Sequence, residues 1–172
     1  MAARRKMTQK SGTDLEGQSD PHAPLESKKL LDAAKPVLEK LAADLLERAK
    51  GSAAVTAALQ ARHAAEQAAR RTADPFLVWQ GNLVDQVAAA WLLSCVFVRT
   101  LEDRGLLGQA RLAGAGAADS QRQFLELAPS LGERDYLLTV FRELSRFPAA
   151  RDLFDAKHNP VWLLTPSAQA AQ

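Results

Sequence analysis

Four stretches of the chain carry residue types and spacings that could do chemistry. Gly114-Ala115-Gly116 has the small residues of a phosphate-binding turn, where backbone N–H groups close on an anion at a helix N-terminus. Such a turn needs a strand before it and a third glycine after it. Asp119 stands where that glycine would be and no strand pattern precedes, so the residues read as a flexible connection. Asn159-Pro160-Val161-Trp162 is one residue away from an Asn-Pro-Pro-aromatic tetrapeptide, which accepts hydrogen bonds from the exocyclic amine of a flipped base while its ring stacks on that base. Val161 replaces the second proline, and the residues also fit an Asx turn ahead of Pro160, with Trp162, Leu163 and Leu164 docking on the domain. Arg142 and Arg146 share a helical face, with Arg151 and Lys157 close behind, and aligned cationic groups can bind successive phosphates of a nucleic acid. The structural alternative is a solvated face with Glu143 beside it. Arg99, Glu102, Asp103 and Arg104 form the fourth set: Arg99 and Asp103 are spaced for an i,i+4 pair worth about 0.3 to 0.5 kcal/mol if exposed. Partly buried, the same cluster would have to be internally paired and would fix the angle of a neighbouring helix.

Other chemistries find no residues. His22, His63 and His158 are dispersed, without metal-ligand spacing, and no serine, histidine and acid combination carries a local signature of nucleophilic catalysis. The lone cysteine, Cys95, excludes an intrachain disulfide and, in an apolar run, is a small core filler.

These residues must be positioned by helices. Leu and Ala dominate, aromatics are 6% of the 172 residues, and no alternating apolar pattern persists, so the fold class is all-α. The organising stretch runs from Asp74 to Leu107 and reads as one long helix. Asp74 and Pro75 supply a start signal, and Gly105 a left-handed stop from which Leu106 and Leu107 can fold back. Within it Val84, Val87, Trp91, Val98 and Leu101 form one apolar stripe and Leu83, Ala90, Leu93 and Phe97 another, the pattern of a helix buried on most faces. Its uncharged run, Val87 to Val98, is shorter than the roughly 20 residues that span a bilayer, so the reading is a core helix and no membrane. The expected structural core is Trp91, Leu92, Cys95, Phe97, Val98, Leu137 and Phe141.

Around that helix the chain divides in order. Residues 1–24 are polar and are expected to be a disordered tail, leaving 25–172 as one helical domain. Leu31, Ala34, Leu38, Leu41 and Leu45 predict a helix from Ser27 to Lys50 closed by Gly51; Pro36 either marks its true start near Lys35 or kinks it. An Ala-rich helix from Ser52 to Arg71 offers a thin packing face of Val55, Ala58, Leu59, Ala65 and Ala69. Asp119 or Ser120, the latter with Gln123, can cap a short helix ending before Pro129. Ser130 and Glu133 predict a capping box for a helix with the stripe Leu137, Val140, Phe141 and Leu144. A short turn from Pro148 to Asp155 follows, and then irregular chain from His158. The sum is a bundle of about five to seven helices around one long buried helix.

The net charge is +2, but 13 Lys and Arg face 9 acids in residues 1–71, against 9 and 11 in the remainder. That basic bias permits phosphate contact without requiring it. The N-terminus has Arg4, Arg5 and Lys6 but no apolar segment after them, so no secretory signal is read and the expected location is cytoplasmic.

WLLSCVFVRTLEDRGLL (Trp91 to Leu107), RLAGAG (Arg111 to Gly116), ERDYLLTVFREL (Glu133 to Leu144) and LFDAKHNPVWLLTPS (Leu153 to Ser167) follow one another along the chain as an ordered series. In that order they resemble the N-terminal helical region of the PglX-type adenine-specific DNA methyltransferases of phage growth limitation (BREX type 2) defence systems. A looser version of the first piece resembles fused restriction and modification enzymes. The resemblance implies that His158-Asn159-Pro160 lies in a helical region, away from the catalytic motif. It also implies that S-adenosylmethionine and the methyl transfer belong to a doubly wound domain beyond Gln172, with no cofactor in this chain. The expectation is therefore a non-catalytic module, truncated or split from its enzyme, that contacts DNA, a catalytic domain or other defence-system subunits. The alternative is a free-standing helical interaction protein. If the first holds, Trp162, Leu163 and Leu164 are the expected exposed surface against the missing domain.

Overall fold

The computed structural model describes residues 27–114 and 116–171. The expected tail, with His22, and Ala115 of the glycine turn lie outside them. Six α-helices and one 3-10 turn follow in chain order: α1 (Ser27–Gly51), α2 (Ala53–Ala68), α3 (Phe76–Asp103), α4 (Ala117–Leu127), α5 (Glu133–Leu144), α6 (Arg151–Phe154) and a turn at Pro160–Trp162. No strand occurs among the described residues, and the class is all-α, with α3 as the long central helix.

α1 lies along α3, α2 bridges the two, α4, α5 and α6 pack in sequence, and the Pro160 turn returns to α3. The core sits where these layers meet: Leu41, Leu45 and Ala49 of α1, Val84, Val87, Trp91 and Val98 of α3, Tyr136, Val140 and Phe141 of α5, and Phe154 of α6 are all buried. Aromatic rings run through it in a row. Trp91 meets Phe141 at 5.5 Å between centroids, Phe141 stacks on Phe154 at 5.5 Å, and Phe154 meets Phe97 at 5.8 Å. Taken end to end, rather than over its charge-free run, α3 is long and apolar enough to cross a membrane by length and composition. Here its centre is the meeting point of the bundle.

The ends of α3 divide into one expected device and one correction. Gly105 adopts φ +65°, and Leu106 N–H bonds to Leu101 C=O while Gly105 N–H bonds to Glu102 C=O, the paired bonds of a glycine-terminated helix. Leu107 turns back onto the core, whereas Leu106 stays exposed. At the other end Asp74 makes no cap. Pro75 takes the cap position, and Asp74 sits outside it, its N–H donating to Thr72 Oγ1 and its C=O contacting His63.

Other caps also differ from the sequence signals, because loop closure sets where each first turn begins. α4 starts at Ala117, behind Gly116 at φ +85°, so Ser120 is inside the helix and its hydroxyl donates back to Gly116 C=O. α5 starts behind Gly132, not Ser130, and the carboxylate of Asp135 accepts from Gly132 N–H. α1 begins at Ser27 and continues through Pro36, whose missing N–H falls on an exposed face where water can serve the orphaned carbonyl. Gly51 does not form a left-handed stop; Ser52, in extended conformation, ends α1 and caps α2 through Val55 N–H.

α2 buries Leu59 and half-buries Val55 as expected, but not the alanines of the expected face. His63 is buried with them, whereas Ala58, Ala65 and Ala69 face solvent. At its end Arg70 takes φ +56°, with Arg71 N–H on Glu66 C=O and Arg70 N–H on Gln67 C=O. A side chain in this left-handed region costs about 1 kcal/mol that glycine avoids. Arg70→Gly is therefore expected to stabilise the domain by about 0.5 to 1 kcal/mol. A urea melt in which it destabilises would show that the Arg70 side chain holds an interaction worth more than the strain.

Two apolar expectations also fail. Leu31 is 55% and Leu93 65% exposed, so the stripes of α1 and α3 run on past what covers them. Conversely, Trp162 and Leu163 are half-buried against the core and Leu164 is buried, so this segment is part of the domain's own interior. The chain after it is pinned rather than loose. Asp44 accepts from Ser167 N–H at 2.8 Å, Arg48 Nε donates to Thr165 C=O at 2.8 Å, and Pro166 is fully buried.

Candidate functional site

The most highly built polar structure lies at the C-terminal end of α3. Glu102 faces the loop that returns from Gly105, and its side chain is only 3% exposed. Its carboxylate accepts three successive backbone N–H groups, from Arg111, from Leu112 at 2.6 Å and from Ala113 at 3.3 Å, and is paired with Arg99 at 3.3 Å. Burial pushes this carboxyl's pKa up, but the amides of Leu112, Arg111 and Ala113 together with the Arg99 guanidinium outweigh it and hold the value below the ordinary one. Arg99 also pairs with Asp103 and donates to Ala113 C=O at 2.9 Å. The C=O of Arg111 is taken by the hydroxyl of Tyr136 at 2.9 Å. Arg99 and Asp103 are thus paired at i,i+4 as expected, yet the buried member of the cluster orders a loop, not a neighbouring helix.

Beside this loop opens a cleft of about 570 Å³ between α5 and residues 107–111. Arg111, paired with Glu143 at 3.0 Å, and Arg146 line it together with the exposed ring of Phe147. Of the four expected phosphate contacts, Arg146 reaches this cleft. Arg142 lies over the ring of Trp162, 5.6 Å from its centroid. Arg151 and Lys157 are exposed on α6 and the following turn. The contacts made by the four do not join them into one row.

Asn159 is occupied in a way that suits a turn and leaves no amide for a base. Its Oδ1 accepts from Val161 N–H at 3.0 Å, and its Nδ2 donates to Ser94 Oγ at 3.1 Å and to Leu153 C=O at 2.7 Å. Trp162 likewise gives its indole N–H to Phe154 C=O at 2.9 Å. The expected core residues separate by depth. Trp91, Val98 and Phe141 are buried, Cys95, Phe97 and Leu137 are half-buried against the core, and Leu92 is half-buried at the edge of a groove described below. Burial pushes the Cys95 thiol up to about 11, so it stays protonated.

Sequence reasoning left Tyr136 unnamed, gave His63 no role, and had Glu102 only as a member of the charged cluster, without its backbone partners. Tyr136 lies four residues before Val140 on the buried stripe, a spacing that could have revealed it. Glu102 gave no local signal for the three amides, which come from nine to eleven residues away. His63 is buried with its Nε2 at 2.9 Å from Asp74 C=O and its ring against Phe76 and Trp79, and only the fold brings these together. Among the described residues no group of three His, Cys, Asp or Glu is placed to hold a metal ion.

Helices joined by a loop whose polar groups are satisfied internally, around one aromatic core, define an all-helical bundle. Over an alignment of 157 residues that covers 86% of the chain, it is 31% identical to the adenine-specific methyltransferase PglX of Streptomyces coelicolor. It spans about 13% of the length of that protein, so the likeness is to a region of PglX. No protein-family profile and no solved structure matches the chain.

Proposed function

We propose that this chain is a non-catalytic helical module of a PglX-type adenine methyltransferase of phage defence, working in the cytoplasm, that supports contacts of the enzyme with DNA and with partner subunits. The observation that carries the reading is the 31% identity to a region of PglX across 86% of the chain. In this reading S-adenosylmethionine is held by the polypeptide that carries the catalytic site. The module adds surfaces, among them the basic cleft of Arg111 and Arg146, where an exposed aromatic ring beside guanidinium groups suits a nucleic acid strand.

The test is a replacement. Streptomyces coelicolor PglX with its matched region deleted is expected to lose adenine methylation of host DNA, and insertion of this chain in that place is expected to restore it. A replacement as inactive as the deletion, although expressed and folded, overturns the reading. For the DNA contact, Arg111→Glu with Arg146→Glu should weaken binding of the chain to DNA at least tenfold and flatten its salt dependence by about 2 in log–log slope. Unchanged anisotropy titrations would remove these arginines from the contact.

A further inference from the structure

The apolar stripe of α1 begins under cover, at Leu45 and Leu41, and continues toward the helix N-terminus into the open, at Val37, Leu31 and Leu30. Opposite it, α3 turns Leu92, Leu93 and Val96 outward beside the same helix. Between them lies a groove of about 550 Å³ walled by aliphatic side chains. A second groove, of about 480 Å³, adjoins it across Leu93 and Val96 and reaches Leu153 of α6. The most apolar helix of the bundle is therefore covered on one side and bare on the other, and a contiguous apolar face of this extent marks an absent partner.

We propose that this face is the docking site for a helix of the polypeptide that carries the methyltransferase site. The inference rests on the function proposed above. Two observations select this occupant. Most of PglX lies outside the matched region, so in that protein the counterpart of this bundle sits within a far longer chain that can cover such a face. Both walls of the groove are helices whose backbone groups are already bonded internally, so no free edge can pair with an incoming strand. The occupant must satisfy its own backbone and supply apolar side chains at helical spacing, which is what a helix laid in a groove does. The segment at Trp162 to Leu164, the sequence's own candidate for this contact, is already used inside the domain.

The test uses purified chain and purified Streptomyces coelicolor PglX lacking its matched region, titrated by calorimetry, with Leu31→Asp and Leu93→Asp combined as the variant. Both side chains are already more than half exposed, so helicity and melting should be unchanged. Association is expected, and the double substitution should weaken it at least tenfold. Binding that persists in the double variant overturns this face as the docking site while leaving the proposed function standing. Absence of binding, with self-association of the chain that the same substitutions disperse, assigns the face to a second copy and overturns the proposal. Absence of binding and of self-association likewise overturns the proposal, and the replacement experiment then decides the function separately.

Discussion

Replacing Trp91 by alanine is expected to destabilise the domain by about 3 to 5 kcal/mol, enough to unfold a protein of ordinary marginal stability. Trp91 is 3% exposed and occupies the point where three parts of the chain meet. Its ring packs on Phe141 of α5, and its indole N–H donates to Leu164 C=O at 3.1 Å, tying the C-terminal segment to α3 across 73 residues of sequence. Alanine would open a cavity and strand that carbonyl together. Phenylalanine would keep most of the volume and lose the bond, so Trp91→Phe should cost about 1 to 2 kcal/mol. Urea melts separate the outcomes. A loss under 1 kcal/mol for Trp91→Ala would mean that α5 and the C-terminal segment collapse onto α3 without it.

Glu102→Ala is expected to cost about 3 kcal/mol, since it leaves three amide donors without the charged acceptor that orders them and takes from Arg99 one of its two carboxylate partners. Glu102→Gln, which keeps an oxygen but not the charge, should cost about half as much. The effect carries a pH signature. The folded state holds the Glu102 pKa below its unfolded value, so the stabilisation is fully present above the ordinary glutamate value of about 4.3 and is lost as pH falls through the depressed folded value. Asp135 shifts the same way, chiefly through Gly132 N–H, and adds to this acid limb. Melting temperature should therefore fall from pH 5 to pH 3 in the native chain and fall less in Glu102→Gln. Equal slopes in the two would show that the carboxylate is not what the loop depends on. Hydrogen exchange at Arg111, Leu112 and Ala113 should rise in the variant while α5 stays protected.

What the sequence determined by itself is what can be read within a turn or two of chain. The helical class, the span of α3, the glycine stop at Gly105 and the depth of Val87, Trp91 and Val98 follow from spacing and residue type, because a helix needs only its own neighbours to form. The likeness to PglX was legible for a related reason, being carried by an ordered series of short pieces. The Asx turn at Asn159 was local too. Only the tertiary structure decided what covers each apolar face. An apolar stripe states that burial is favourable without naming the neighbour, so Leu31 and Leu93 scored as Leu41 and Val98 did, although α1 and α3 leave the first two in the open. It also decided the fate of polar groups. Ser120, Ser130 and Asp74 each carried a capping signal, but the chain enters each helix where loop closure permits, and the caps fell to Gly116, Gly132 and Pro75. The acceptor roles of Glu102 and Asp44 were not legible because their partners are backbone amides far along the chain, and a backbone amide leaves no mark in a sequence.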